Sequence, residues 1–145
     1  MSIKKIGISL LLAADLMAGS VSAPSPEVQG LLSQEMQYIK SGMDEMLYAI
    51  ISNDFQKVSK IARTIEHSYI LKDKITEEQK KQLKESFPMK FFEYDMEFHE
   101  TAQSLADFAD FEDKKNVLEG YSNMIHQCVR CHESFAQFRF EKFHK

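Results

Sequence analysis

Apolar residues recur every three or four positions along most of the chain, with polar residues between them. This spacing is typical of amphipathic helices. The first stripe predicts a helix of about 25 residues, which ends at the polar stretch SND, 52–54. Asp54 is the predicted N-cap of a second helix. The two stripes are Leu32, Met36, Ile39, Met43, Met46 and Ile50, and then Phe55, Val58, Ile61, Ala62 and Ile65.

The second half of the chain continues the helical pattern after a predicted loop, LKDK, at 71–74. Thr76 and Gln79 form a predicted capping box that begins a short, strongly charged helix. Pro88 disfavours helix at the residue before it, so a third long helix is expected only from 89 to 111. Asp113 is the predicted cap of the fourth long helix. The stripes here are Phe91, Tyr94, Phe98, Ala102, Leu105 and Ala109, and then Val117, Tyr121, Met124 or Ile125, Cys128, Cys131 or His132, and Phe135.

Four amphipathic helices joined by short loops predict an all-α fold, an antiparallel four-helix bundle. The chain holds 5 glycines and 3 prolines, and no segment has the pattern of a series of β-hairpins. The net charge of −4 argues against a nucleic-acid partner and is compatible with a basic protein partner. No nucleophile–base pair or carboxylate dyad is evident, so we do not expect an enzyme.

Both cysteines of the chain lie in one pentapeptide, CVRCH, at 128–132. Two cysteines at this spacing can form a redox dithiol, half of a zinc site, a strained disulfide or the thioether anchors of a c-type haem. Haem attachment requires a histidine directly after the second cysteine, which is His132. On a helix, Cys128 and Cys131 face the same side, so both sulfurs can reach one porphyrin edge while His132 ligates the iron.

The N-terminal stretch has the pattern of a secretory signal peptide. Lys4 and Lys5 form a basic region, the residues at 6–17 are mostly apolar, and small residues follow. We therefore predict a signal peptide at 1–23, cleaved near residue 20 or 23, and a bundle domain at 24–145. The apolar run is too short for a permanent membrane anchor. Export and CVRCH support each other, because thioethers to haem form outside the bacterial plasma membrane, and this combination predicts a periplasmic protein with one covalent haem c and its iron.

The signal peptide, the four-helix pattern and the single CxxCH on the last helix together resemble the class II cytochromes c, the group that includes cytochrome c prime. The likeness is strongest in FHETAQSLADFADFEDKKNVLEGYSNMIHQCVRCHESF, residues 98–135. The resemblance implies that Cys128 and Cys131 carry the haem and that His132 is the proximal ligand. Family members often have an aromatic residue three positions after this histidine, followed by a basic residue. Phe135 fits that pattern, whereas Ala136 does not, and the basic residue comes later, at Arg139. The resemblance also suggests a homodimer.

The ligand at the sixth coordination position of the iron distinguishes two functions within this family. In the family, this position faces the first helix. Electron carriers have a methionine there, and Met36 is the predicted ligand because thioether ligation raises the reduction potential. Met43, His99 or no protein ligand are the alternatives. His67, His99, His126 and His144 are each expected at the surface or in hydrogen bonds, with His99 the candidate ligand if the haem has two histidines. The predicted function is an electron carrier with His/Met-ligated iron that exchanges electrons with redox partner proteins. The alternative is a five-coordinate haem protein that binds NO or CO.

Overall fold

The computed structural model describes residues 25–68 and 75–143 of the chain, and within these ranges all the regular structure is helical. The predicted signal peptide, the loop at 71–74 and His144 lie outside the described residues. The described helices are α1 Pro26–Ile51, α2 Phe55–Glu66, α3 Glu77–Ser86, α4 Met89–Asp110 and α5 Lys114–Phe135, with a short 3-10 turn at Glu141–Phe143.

Local sequence signals set the helix starts as predicted. The side chains of Asp54 and Asp113 each accept a hydrogen bond from the backbone N–H three residues further on, at 3.0 and 3.2 Å. Thr76 and Gln79 form the predicted reciprocal capping box, with bonds of 2.8 and 3.2 Å. These bonds satisfy N–H groups that would otherwise lack partners at a helix start.

Contacts between α2 and α4 show that the two helices are antiparallel. The carbonyl of Ile65 lies 2.7 Å from the Nδ1 atom of His99, whereas Arg63, earlier in α2, donates to Asp110 at the far end of α4 at 3.1 Å. Residues later in α2 therefore lie beside residues earlier in α4.

Helices α4 and α5 are antiparallel by the same criterion. Gln127 donates to Thr101 at 2.9 Å, while Gly120 lies against Leu105. α1 packs along α2, α2 along α4 and α4 along α5, whereas α1 and α5 approach each other closely at fewer places in the described chain. This arrangement is compatible with the predicted bundle, to which the short α3 is added against α1.

Two hydrophobic clusters lie end to end along these helices. We call the first the main core, whose buried residues are Ile39, Met43, Met46, Ala49, Ile50, Phe55, Val58, Ala62, Ile65, Phe98, Ala102, Leu105, Ala106, Ala109, Val117 and Met124. We call the second the cavity cluster, whose buried residues are Val28, Ile75, Leu83, Phe87, Phe91 and Phe135. Cys128 packs against the main core, and Cys131 packs against the cavity cluster.

The predicted stripe of α1 is correct for Ile39, Met43, Met46 and Ile50, which are buried, but wrong for Met36, which is 39 % exposed. The physical reason is that the buried face of α1 runs through Glu35, which is 1 % exposed, while Met36 lies beside that face and lines a cavity. In α5 the helical phase buries Met124 and leaves Ile125 exposed. Among the helices of the described ranges, none is long and apolar enough to cross a membrane.

Candidate haem site

The CVRCH residues lie in the last two turns of α5, where the helix passes from the main core to the cavity cluster. Cys128, Cys131 and His132 are all half-buried, and both cysteines are free thiols. A helix presents residues three apart on the same side, so the two thiols follow each other along one face.

A cavity of about 390 Å³ opens beside Cys131 and His132. It lies between the first half of α1, the start of α4, the end of α5 and the residues that follow α5. Its volume is within the range of small-molecule and cofactor sites, and its lining is mostly apolar. The lining residues are Gln29, Leu32, Ser33, Met36, Gln37, Lys40, Phe87, Phe91, Asp95, Cys131, His132, Phe135, Ala136, Phe138, Arg139 and Phe140.

Aromatic rings form one wall of this cavity. The rings of Phe87 and Phe91 are stacked with their centroids 4.2 Å apart, and Phe135 meets Phe91 edge-on at 5.6 Å. The position of Pro88 explains how the first two rings meet, because the helix break between them turns the chain so that both side chains face inward. These ring contacts make that side of the cavity apolar.

The segment after α5, residues 136–143, covers part of the cavity and was not foreseen from periodicity. We call it the C-terminal segment. The ring of Phe140 stacks on the imidazole of His132, with centroids 4.7 Å apart and planes at 30°. Arg139 donates from Nη1 to Oγ of Ser33 at 2.5 Å, which joins the end of the chain to α1. The cluster of three aromatic residues in FRF and EKF, beyond the last helix, could have indicated that the C-terminal segment packs against the site.

Burial changes the acid–base properties of the motif. Desolvation, with a smaller effect from Arg139, lowers the pKa of His132, so its imidazole is neutral and keeps a lone pair. Burial, with the nearby Asp95 carboxylate, raises the pKa of Cys131 to about 12. Burial also raises the pKa of Cys128. At neutral pH the motif therefore offers a neutral nitrogen donor and two protonated thiols.

Met36 reaches the same cavity from α1. The structure thus brings together Cys131, His132 and Met36, three of the four residues predicted for the haem site. Cys128, the fourth, is not among the residues that line the cavity. Its side chain packs one turn earlier along α5, at the edge of the main core.

The alternative ligands lie elsewhere. Met43 is 8 % exposed, packs within the main core, and does not line the cavity. Its carbonyl accepts a hydrogen bond of 3.1 Å from the Tyr121 hydroxyl. His99 is fully buried with Nδ1 bonded to Ile65, as the hydrogen-bonded alternative predicted, and His67 and His126 are exposed.

A polar clamp holds α5 against α4 beside the two cysteines. The guanidinium of Arg130 lies 4.0 Å from the centre of the Tyr94 ring and donates to Oε2 of Glu97 at 2.5 Å. One turn earlier, Gln127 donates to Thr101. Planar stacking and a charge-assisted bond are both suited to arginine, so the clamp fixes the rotation of the helix that carries the motif.

The zinc and dithiol alternatives find little support in this geometry. Within the described ranges no group of three or more His, Cys, Asp or Glu side chains lies close enough to hold a metal ion, whereas structural zinc takes four such ligands. Dithiol oxidoreductases lower the pKa of the attacking cysteine, and here both thiol pKa values are raised. A c-type haem needs a histidine, two thiols, an apolar pocket and cations for its carboxylates. The lining of the cavity supplies His132, the Cys131 thiol, apolar walls, Lys40 and Arg139, while the Cys128 thiol lies one turn away along α5.

No family model, curated protein or solved structure matches the chain.

Proposed function

We propose that the protein is an exported c-type cytochrome with one covalent haem that carries single electrons between redox partner proteins. In this proposal Cys128 and Cys131 bear the thioether bonds, His132 is the proximal iron ligand and Met36 is the distal one. The observation that carries the proposal is that His132 and Cys131 from α5, and Met36 from α1, line one aromatic cavity.

The bound haem would supply a one-electron iron couple, and the chain would supply its environment. His132 provides the neutral nitrogen, with Phe140 against its ring restricting rotation of the imidazole. Phe87, Phe91 and Phe135 make one side of the cavity apolar. Lys40 and Arg139 line the cavity and carry the positive charge that carboxylates on a ligand require.

Cys128 is the residue whose proposed role demands a change of packing. Its side chain lies against the main core, one turn from the cavity. The proposed attachment requires the apolar space to extend along α5 from Cys131 to Cys128. The scarcity of close approaches between α1 and α5 supports this, because side chains there can move apart without separating packed backbones.

A five-coordinate haem that binds NO or CO is the second candidate, and the exposure of Met36 favours it. Met36 is 39 % exposed, so its packing constrains the position of the sulfur less than full burial would. If the sulfur does not bind iron, the distal position is open to a small gas.

Protein purified after expression with a periplasmic haem-attachment system tests both candidates. After denaturation and extraction with acidified acetone, we expect haem to stay on the polypeptide, with Cys128→Ala/Cys131→Ala as the haem-free control. Haem that moves entirely into the organic phase would refute the proposal. In the oxidised protein, a far-red sulfur–iron band supports the electron carrier, whereas a high-spin spectrum that changes with CO after reduction supports the gas-binding protein.

A further inference from the structure

His99 is a buried titratable side chain to which the proposed cytochrome function assigns no role. It is fully buried in α4, although a histidine carries a polar ring with two nitrogens that both need partners. Its Nδ1 atom lies 2.7 Å from the carbonyl of Ile65 in α2. A carbonyl oxygen can only accept, so Nδ1 carries a hydrogen and donates it.

This bond determines what the other nitrogen does. With the hydrogen on Nδ1, the neutral imidazole has its lone pair at Nε2, and Nε2 lies 3.7 Å from Oδ1 of Asp95. A lone pair that faces a carboxylate is unfavourable, whereas a protonated Nε2 faces it favourably. The geometry therefore makes Nε2 of His99 a place that binds a proton.

The charged surroundings of His99 act in the same direction. Burial opposes its charged form, but Asp95 in α4, the Ile65 carbonyl in α2 and Glu35 in α1 together outweigh burial, and the pKa of His99 is raised. From α5, the Cys131 thiol faces Asp95, and it would no longer titrate once it bears a thioether.

Asp95 connects this proton site to the cavity and to solvent. Its carboxylate lines the cavity beside Cys131, and its side chain is 25 % exposed. His99 is fully buried, so a charge that changes in the cavity acts on it largely through protein, where electrostatic interactions are stronger than in water.

We propose that His99 is a proton-binding site coupled to reduction of the haem, an inference that rests on the proposed function. One electron arrives from the redox partner, and one proton moves from water, by way of Asp95, to Nε2 of His99. On oxidation the electron returns to a partner and the proton to water. The two charges cancel, so the buried region keeps the same net charge in both states.

The test is the reduction potential of the haem-loaded protein measured against pH. We expect the potential to fall as pH rises between the pKa values of His99 in the two redox states. The slope is at most about 59 mV per pH unit, because one electron and one proton move together. His99→Asn should remove most of this slope, since its amide can still donate to Ile65 but cannot titrate. The exposed His67→Asn is the matched control and should keep the slope.

Two further measurements test the inference if the His99→Asn variant does not fold. Asp95→Asn should shift the pH range over which the reduction potential falls to lower pH, because it removes the carboxylate that stabilises protonated His99. In the unmodified protein, nitrogen NMR shifts of the His99 ring at one pH within the range should show more protonation after reduction.

A flat potential in the unmodified protein, or an unchanged slope in His99→Asn, would overturn the inference and leave the cytochrome proposal intact. If His99→Asn does not fold, an unmoved range in Asp95→Asn would overturn it. Protein that carries no covalent haem would refute the cytochrome proposal, and this inference with it.

Discussion

The main core and the cavity cluster occupy successive lengths of α1, α4 and α5, yet they are filled by different side chains. Small residues are frequent in the main core and let the helices approach closely, with Gly120 in contact with Leu105. The alanines among them are Ala49, Ala62, Ala102, Ala106 and Ala109. The cavity cluster instead contains three buried phenylalanines beside about 390 Å³ of space.

This difference indicates which part of the bundle is complete without a ligand. Protein interiors normally pack without large voids, and an apolar cavity costs stability in proportion to its volume. The buried residues of the main core pack against one another, whereas the cavity cluster borders the mostly apolar space beside Cys131 and His132. CVRCH lies at the boundary, with Cys128 on the packed side and Cys131 on the open side, so a group bonded to both would join the two regions.

Removal of both thiols should have the largest effect on stability, and this effect should be confined to the region of the cavity cluster. We expect Cys128→Ala/Cys131→Ala to lose covalent haem completely and to lose stability, since a ligand bound only to the folded state stabilises it. Hydrogen exchange should show lost protection in the first half of α1 and at the end of α5, and retained protection in α2 and in α4 near Leu105. Equal loss of protection in both regions would contradict the division described here.

The same substitution at two methionines of α1 sharpens the comparison. Met43→Ala should cost about 2 to 5 kcal/mol, because it opens a cavity in the main core, and should leave the spectrum unchanged. Met36→Ala should cost less than about 1 kcal/mol in lost packing, because that side chain is exposed. It should instead abolish the sulfur–iron band, lower the reduction potential and allow CO to bind. Denaturant unfolding and optical spectra measure both properties, and a band that disappears only in Met43→Ala would show that the ligand is assigned to the wrong methionine.

Glycine-to-alanine substitutions should give the smallest effects, with opposite signs in the two regions. A Cβ atom at Gly120 would lie 3.3 Å from Cβ of Leu105, which cannot move away easily. We expect Gly120→Ala to cost about 1 kcal/mol, since overpacking outweighs the gain in helix propensity. Gly30, in the first turns of α1, has open space around it, so Gly30→Ala should stabilise the protein by up to about 1 kcal/mol. Thermal or denaturant unfolding measures the stability of both variants. A Gly120→Ala variant that is more stable than the unmodified protein would show that the main core is less tightly packed than described.

Sequence patterns predicted the local features of this fold well. The caps at Asp54, Thr76 and Asp113 depend on residues three positions apart, and short-range chemistry determines them. The stripe of α1 was wrong at Met36 because helical spacing shows which residues share a face, but it does not show whether another helix covers that face.

The site was only partly predictable for a similar reason. The site residues Cys128, Cys131, His132 and Met36 were predicted from their chemistry and from the family resemblance. The structure places the last three of these four around one cavity. The stacking of Phe140 on His132 and the bond from Arg139 to Ser33 were not foreseen. They belong to an aperiodic segment whose position depends on distant residues, and no repeating pattern records such contacts.

The bond between Arg139 and Ser33 also affects the order in which the chain can fold. It joins residues 106 apart, whereas Ile65 and His99 are 34 apart, and Thr101 and Gln127 are 26 apart. The entropy lost on closing a loop grows with its length, and contacts of low contact order form faster. The main core can therefore assemble early from neighbouring helices, while the cavity closes last. CVRCH would then remain accessible on a largely folded surface until the end of the chain reaches α1.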